Sequence, residues 1–372
     1  MKLRLTLLAA AFLLFVPCAV AGAPQVSGRA YVVENGVNGD VLAARHAHQE
    51  LPIASITKLM TVLVTLQHAR LDEVVTVGKG ATTVGEESIY LQKGEQLTVE
   101  ELIEGALIQS ANDAAVALAE YVGGGSEAAF VAMMNDEATR LGLHDTHFAN
   151  PDGLDAPGHY SSAHDVTRLA RVAMKNKVIR GIVDQQTAFI PGRTLHTWND
   201  LLGRYPGVFG VKTGHTADAG WSQVAAARSH GVTVYATLLG EPSREQRNVD
   251  LEQLLTYGLT RYRTVHVISP GRVYATAFAP FGRRPLTLVA PRAVTRIVRV
   301  DRTLVERVVA PAVVSLPVAK GQRLGEVRVY AGAKLVGRAP LLASRAIARP
   351  GFLGRATWYG SRTFHRIGGW FS

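Results

Sequence analysis

The chain is 372 residues long, 47% hydrophobic and 19% charged, and Cys18 is its one cysteine, which excludes a disulfide framework and a thiolate metal site. That length accommodates a large core and a second domain, and the net charge of +10 conceals a division. Residues 263–372 hold 19 Lys/Arg against three Asp/Glu, a net of +16, which leaves −6 on residues 1–262.

In chain order, Lys2 and Arg4 precede an apolar run from Leu5 to Val16 and then Ala19-Val20-Ala21. This predicts a secretory signal peptide over residues 1–21, cleaved after Ala21. The run is shorter than the roughly 20 apolar residues that a spanning helix needs. Lipoprotein processing at Cys18 is the alternative, and Pro17 fits it poorly. Export directs the basic C-terminal third toward anionic lipid or wall polymer and away from nucleic acid.

The stretch YVVENGVNGDVLAAR predicts a hairpin with a type I′ turn at Asn38-Gly39. From residue 55 to 68, Ile56, Leu59, Met60, Leu63 and Val64 recur at helical spacing. Residues 97–121 read as one or two helices opened by the capping box Thr98-Val99-Glu100-Glu101. Another helix spans 128–141, stopped near Gly142, and 144–162 is a loop with turn chemistry at Asn150-Pro151-Asp152-Gly153. Residues 208–212, 220–228 and 232–239 predict successive antiparallel strands, followed by a short helix at 251–257. Together these predict an α/β (α+β) domain over residues 25–262 with a mainly antiparallel sheet.

Past residue 263, Val-rich runs at 286–290, 296–300, 304–309, 313–316 and 325–330 alternate with Gly/Pro turns. They predict a small all-β sandwich or barrel over 263–348. Residues 349–372 set Phe352, Ala356, Tyr359, Thr363, Ile367 and Trp370 on one helical face, flanked by Arg355, Arg362 and Arg366. That is the pattern of an amphipathic anchor lying on an anionic membrane surface; a basic disordered tail is the alternative.

Three short motifs occur in order: Ser55-Ile56-Thr57-Lys58, Ser110-Ala111-Asn112 and Lys212-Thr213-Gly214. Alone, Ser55 reads as a helix cap, Ser110 and Asn112 as polar groups in a helix connection, and the third motif as a strand entering a turn. Their order, on helix start, helix connection and strand, points to one acyl-transfer site. A serine hydroxyl is a poor nucleophile until a base takes its proton. Three residues on along a helix, the Lys58 amine shares a face with Ser55 and can be that base if burial and a neighbouring cation such as Lys212 keep it neutral. The backbone N–H of Ser55 at the helix start and one from the strand, at His215, would meet the developing oxyanion. Ser110 can relay a proton to the leaving group and Asn112 can orient the substrate amide. Lys212 and Thr213 suit a substrate carboxylate.

With these motifs and the blocks LPIASITKLMTVLV, ALIQSANDAAVALAE, LGLHDTHFANPDGLDAPGHYSSAHD and YPGVFGVKTGHTADAGW, residues 25–260 resemble a known family. It is that of the low-molecular-mass penicillin-binding proteins acting as D-alanyl-D-alanine carboxypeptidases, of the penicillin-binding protein 5 type. The resemblance implies the serine β-lactamase and penicillin-binding-protein transpeptidase fold. It also implies Ser55 as acylated nucleophile, Lys58 as its base, and Ser110 and Asn112 as second-motif residues. Lys212, Thr213, Gly214 and His215 would form the carboxylate and oxyanion side. Ala111 stands where many members have glycine, and an arginine near the carboxylate is expected, with Arg244 and Arg247 as candidates.

The implied reaction removes the terminal D-alanine from peptidoglycan stem pentapeptides, without a cofactor, and β-lactam antibiotics would acylate the same serine. An endopeptidase or transpeptidase of the same superfamily, a β-lactamase, and a non-enzymatic wall-binding module are the alternatives. His144, His147, His159 and His164 lie near Asp145, Asp152, Asp155 and Asp165. They match no zinc-peptidase spacing, so no metal is assigned, and the segment is expected to be a loop held by Asx-turns.

Overall fold

The computed structural model describes residues 7–14, 22–281, 283–353 and 358. The chain forms two compact units, one of residues 22–261 and one of residues 262 onward together with the N-terminal strand β1 (Leu7–Leu14).

In the first unit, β2 (Ala30–Asn35) and β3 (Val41–Arg45) form the expected hairpin. Its connection is longer than the two-residue turn predicted. Gly39 takes φ +74°, and the Asn35 side-chain oxygen accepts from the N–H groups of Val37 (2.9 Å) and Asn38 (3.2 Å). A type I′ turn needs positive φ at both central residues, and here only Gly39 supplies it.

The segment from Ser55 starts as a 3-10 turn, Ala54–Thr57, and continues as α1 (Lys58–His68). Leu59, Met60, Val62 and Val64 are fully buried around α1, so it is the central helix of the block rather than a surface one. Each such aliphatic side chain contributes about 1.5–3 kcal/mol through burial.

A short ladder of β4 (Val74–Thr76) and β5 (Gln96–Thr98) leads into α2 (Val99–Glu104). The capping box is present: Thr98 Oγ1 accepts from the Glu101 N–H at 3.2 Å, and Glu101 Oε2 accepts from the Thr98 N–H at 2.7 Å. The helix then loosens into a π turn at Gly105–Gln109, breaks at Ser110 and restarts as α3 (Asn112–Val122). Next comes α4 (Glu127–Leu141), stopped by left-handed Gly142 as expected.

Elements without a sequence prediction follow: α5 (Ala163–Ala173), α6 (Lys177–Val183) and a hairpin of β6 (Thr187–Ile190) with β7 (Arg193–His196). The strands β8 (Val208–Thr216), β9 (Gly220–Ser229) and β10 (Val232–Glu241) complete an antiparallel sheet in the order β3-β2-β10-β9-β8. Helix α7 (Arg244–Thr260) starts seven residues before the helix predicted at 251–257. Its first half buries Arg247, Asn248 and Asp250 in polar contacts, so no apolar period announces it. On β10, Val234 meets Gly258 of α7, and Thr237 hydrogen-bonds Thr167 of α5 at 2.6 Å. Residues an odd number apart on a strand face opposite ways, so the sheet carries α7 on one side and α5, with the helical block, on the other.

The second unit is all-β. Its strands are β11 (Tyr262–Ile268), β12 (Val273–Ala277), β13 (Leu286–Val289), β14 (Val294–Arg299), β15 (Leu304–Pro311), β16 (Arg323–Ala331) and β17 (Lys334–Ala343). One antiparallel sheet runs β1-β15-β16-β17-β13-β12, and β11 pairs with β14. Leu286, Leu288, Val327, Val329 and Leu341 fill the core. The run predicted as a strand at 313–316 contributes only an isolated bridge, Val313 to Phe278.

Of the predicted signal peptide, only residues 7–14 are described; their backbone pairs along β15 from Leu7↔Pro311 to Leu14↔Leu304. Of the predicted anchor, residues 349–353 and 358 are described. Phe352 and Leu353 are exposed, and the Trp358 ring meets Phe281 edge-on at 5.1 Å. The rest of both segments lies outside the described residues. Among the described residues no helix is long and apolar enough to cross a membrane.

Candidate active site

The backbone around Ser55 is held from both sides. Ala54 takes a left-handed φ of +50° although it is not glycine, a conformation that persists only where packing over-determines it. Two glycines supply that packing. A Cβ on Gly214 of β8 would lie 2.7 Å from the Ile53 carbonyl oxygen and 3.2 Å from the Ser55 nitrogen. One on Gly153 would overlap the Ala54 carbonyl oxygen. Gly214 therefore follows Lys212 and Thr213 because the edge strand must touch the serine turn backbone to backbone.

Lys58 is fully buried, and its Nζ lies 2.7 Å from Ser55 Oγ, 2.6 Å from Asn112 Oδ1 and 2.6 Å from the Asp152 carbonyl oxygen. Burial lowers its pKa to about 8, against the opposing pull of Asp152 and Glu87, so a substantial share of the amine is neutral near physiological pH.

Ser110 ends the π turn in a left-handed conformation, φ +66° and ψ +24°, and its Oγ accepts from Lys212 Nζ at 2.8 Å. Lys212 is buried too, and its pKa is pushed well down, first by burial and then by the charge of Lys58. Asn112 Nδ2 donates to the Gly85 carbonyl at 2.9 Å, which fixes the side-chain oxygen on Lys58. Ala111 adopts φ −62° and ψ 123°, open to any residue, so alanine in place of glycine strains nothing.

These groups surround a cavity of about 310 Å³ lined by Ser55, Ser110, Asn112, Thr213, Gly214, His215 and Arg247, with Glu86, Glu87, Trp198 and Trp221. His215 stacks on Trp221 with centroids 4.0 Å apart. The two arginine candidates now separate. Arg247 borders the cavity, is 1% exposed, donates to Asp200 at 2.9 Å and lies over Trp221. Burial lowers its pKa to about 10, which leaves it a cation at neutral pH. Arg244 grips Asp200 through two hydrogen bonds (2.8 and 2.6 Å) and covers Trp198, outside the cavity lining.

The histidine-rich loop is held by the expected Asx-turns. Asp152 Oδ1 accepts from the Leu154 N–H and Asn150 Oδ1 from the Gly153 N–H, the Asx geometry that delivers the Asp152 carbonyl to Lys58. Asp155 accepts from Thr216 Oγ1 at 2.7 Å, tying the loop to the end of β8. Buried His159 accepts from the Ala149 N–H and so donates from Nε2 to Thr57 Oγ1 (2.8 Å) beneath the nucleophile. His147 bonds the Gly158 carbonyl, whereas Asp145 and His164 meet His48, a residue without a sequence assignment.

Sequence reasoning also missed Glu86, Glu87, Trp198 and Trp221 in the cavity wall and the Asp152 carbonyl on Lys58. None carries a motif; Trp221 closes the block YPGVFGVKTGHTADAGW, the nearest thing to a signal.

A serine whose hydroxyl touches a desolvated lysine one helical turn on, facing an edge strand that carries a second buried lysine, defines a serine acyl-transferring enzyme of the penicillin-recognising fold. The profile of the D-alanyl-D-alanine carboxypeptidases matches residues 18–243, and the chain belongs to that family as a serine-type carboxypeptidase. The D-alanyl-D-alanine carboxypeptidase DacC of Escherichia coli K12 is 32% identical over 391 positions, spanning 96% of this chain and 95% of that protein. That of Streptomyces sp. K15 is 35% identical over 274 positions, 68% of this chain and 94% of its own length. Among solved structures, penicillin binding protein 5 from Haemophilus influenzae superposes with a TM-score of 0.65 at 26% identity, covering 88% of this chain and 100% of that one. The Streptomyces K15 DD-transpeptidase gives 0.62 at 32% identity over 64% of this chain and 100% of that one.

Proposed function

We propose that this carboxypeptidase cleaves the terminal D-alanyl-D-alanine bond of peptidoglycan stem pentapeptides through an ester on Ser55. The observation that carries the reading is the 2.7 Å contact of a buried, pKa-lowered Lys58 with Ser55 Oγ, across one cavity from the cation Arg247. Ser55 Oγ attacks the penultimate carbonyl carbon while its proton passes to the Lys58 amine. The backbone N–H groups of Ser55 and His215 receive the oxyanion. The C–N bond breaks as the leaving amine takes a proton through Ser110, and free D-alanine departs. Water then hydrolyses the ester and regenerates Ser55. Lys212, Thr213 and Arg247 hold the substrate carboxylate, and Asn112 orients the preceding amide. A β-lactam presents a strained amide and a carboxylate to the same groups and stops at the ester.

On the same reading residues 1–21 are a signal peptide. The enzyme works outside the cytoplasmic membrane, in the periplasm or on that membrane's outer face, with residues 25–262 catalytic, 263–348 a separate β domain and 349–372 a peripheral anchor. Purified protein given a pentapeptide and, separately, a cross-linked dimer should release D-alanine from the first and leave the second largely intact. Faster cleavage of the cross-link would favour the endopeptidase alternative.

A further inference from the structure

Outside the active-site cavity, one ligand atom from each of His48, Asp145 and His164 lies within 4.8 Å of the others. We propose that these three side chains form a site for a divalent transition metal of the zinc, cobalt or nickel class. Two imidazoles and one carboxylate, with open positions for water, are the donor set such borderline ions take, whereas magnesium and calcium prefer oxygen alone.

The chain brings the three together by register. The isolated antiparallel bridge Leu51↔Ser161 joins the two segments, and the Ala47 carbonyl accepts from the N–H of His164, in the first turn of α5, at 2.9 Å. Asp145 reaches the pair from the loop after α4: its Oδ2 lies 2.7 Å from His48 Nδ1 and 2.9 Å from Ser162 Oγ. The imidazole centroids are 4.6 Å apart.

The supporting contacts are those of a metal ligand set. His164 Nδ1 sits 3.1 Å from Asp165 Oδ1, the carboxylate–histidine pairing that orients an imidazole and raises its basicity, which leaves Nε2 to the ion. Asp165 Oδ2 in turn accepts from the Asp145 N–H at 2.7 Å and Thr146 Oγ1 at 2.9 Å, fixing the loop. The carboxylates of Asp145 and Asp165 supply negative charge beside the two imidazoles, which suits a dication. Donors around tetrahedral zinc stand about 3.3 Å apart, given metal–ligand bonds of about 2.0–2.1 Å. The His48–Asp145 contact opens slightly to admit the ion, and His164 closes by a side-chain rotation that its 32% exposure permits.

An ion there staples the segment that runs on from His48 to Ser55 to the loop whose Asp152 carbonyl holds Lys58. Its effect is on the stability of that loop, not on the chemistry.

The test uses untagged full-length protein, with Zn(II) followed by calorimetry and thermal melting and Co(II) by its visible spectrum. Expected is one equivalent bound, with Tm raised by about 5 °C at ion well above Kd. His48→Ala and His164→Ala should each bind at least tenfold more weakly, while penicillin labelling of metal-free His48→Ala matches metal-free wild type. No saturable binding, or binding unchanged in both variants, would overturn the site. Because labelling at Ser55 is read separately, failure here is distinct from failure of the acyl-transfer mechanism.

Discussion

Lys58 Nζ contacts Ser55 Oγ at 2.7 Å, and its other two partners, Asn112 Oδ1 and the Asp152 carbonyl, are oxygens that can only accept. A neutral amine has two N–H bonds and one lone pair. The two accept-only oxygens take both N–H bonds, so the lone pair is left for the serine proton.

The first prediction follows from that geometry and from a pKa lowered to about 8. The amine is a base only when deprotonated, so acylation by a β-lactam should rise about tenfold per pH unit up to about pH 8 and then level off. Lys58→Arg keeps the charge but not the lone pair and should acylate on the order of 10²–10⁴ more slowly. Stopped-flow acylation across pH 6–10 measures both.

Arg247 and Arg244 share Asp200, but only Arg247 borders the cavity. A charge-assisted hydrogen bond is worth about 1.5–3 kcal/mol, so Arg247→Gln should raise KM about 10- to 100-fold for peptides with a free terminal carboxylate. Peptides with an amidated terminus, already poor substrates, should change little. Arg244→Gln should stay within a few-fold of wild type in KM. Steady-state kinetics on the peptide pair separates the two arginines.

His159 is neutral in its buried setting because desolvation, helped by His147, lowers its pKa to about 4. The unfolded chain protonates the same ring near pH 6.5 and the folded chain does not. Stability from this residue is therefore complete above pH 6.5 and lost as pH falls toward 4, by roughly 3 kcal/mol at most. His159→Gln keeps a donor and an acceptor but cannot titrate, so its Tm should fall less than that of wild type between pH 7 and 4. Parallel melts over that range are the check.

Deleting the residues after Arg349 should move the mature protein from the membrane to the soluble fraction and leave cleavage of small peptides nearly unchanged. Each basic residue near an anionic leaflet is worth about 1 kcal/mol, so attachment of the intact chain should weaken with salt. Vesicle sedimentation of both forms at low and high salt reads the difference. A truncated form that still sediments would remove the anchor role from this segment.

The parts of the fold visible in the sequence were those with a clean period or a local signature: α1 and α4, the strands β8 to β10, the capping box at Thr98. The start of α7 was hidden because Arg247, Asn248 and Asp250 satisfy each other and their neighbours inside the protein. Helix α5 was passed over although Val166, Leu169, Ala170 and Ala173 keep helical spacing and Ser162 caps it from 3.2 Å on the Asp165 N–H. The first two motifs sit where helices start or stop, points that carry sequence signals, and the third lies within β8 where the strand meets the serine turn. What completes the site is backbone: left-handed Ala54 and Ser110, the contact at Gly214, the Asp152 carbonyl. Main-chain oxygens have no letter in the sequence, and the arginine could be chosen only once the cavity lining showed which of the two turns inward.

The most direct test of the central claim is to label the protein with a penicillin, digest it and locate the added mass. The account predicts one adduct on the peptide containing Ser55, absent from a folded Ser55→Ala variant. An adduct on another residue, or an alanine variant labelled at the wild-type rate, would contradict it.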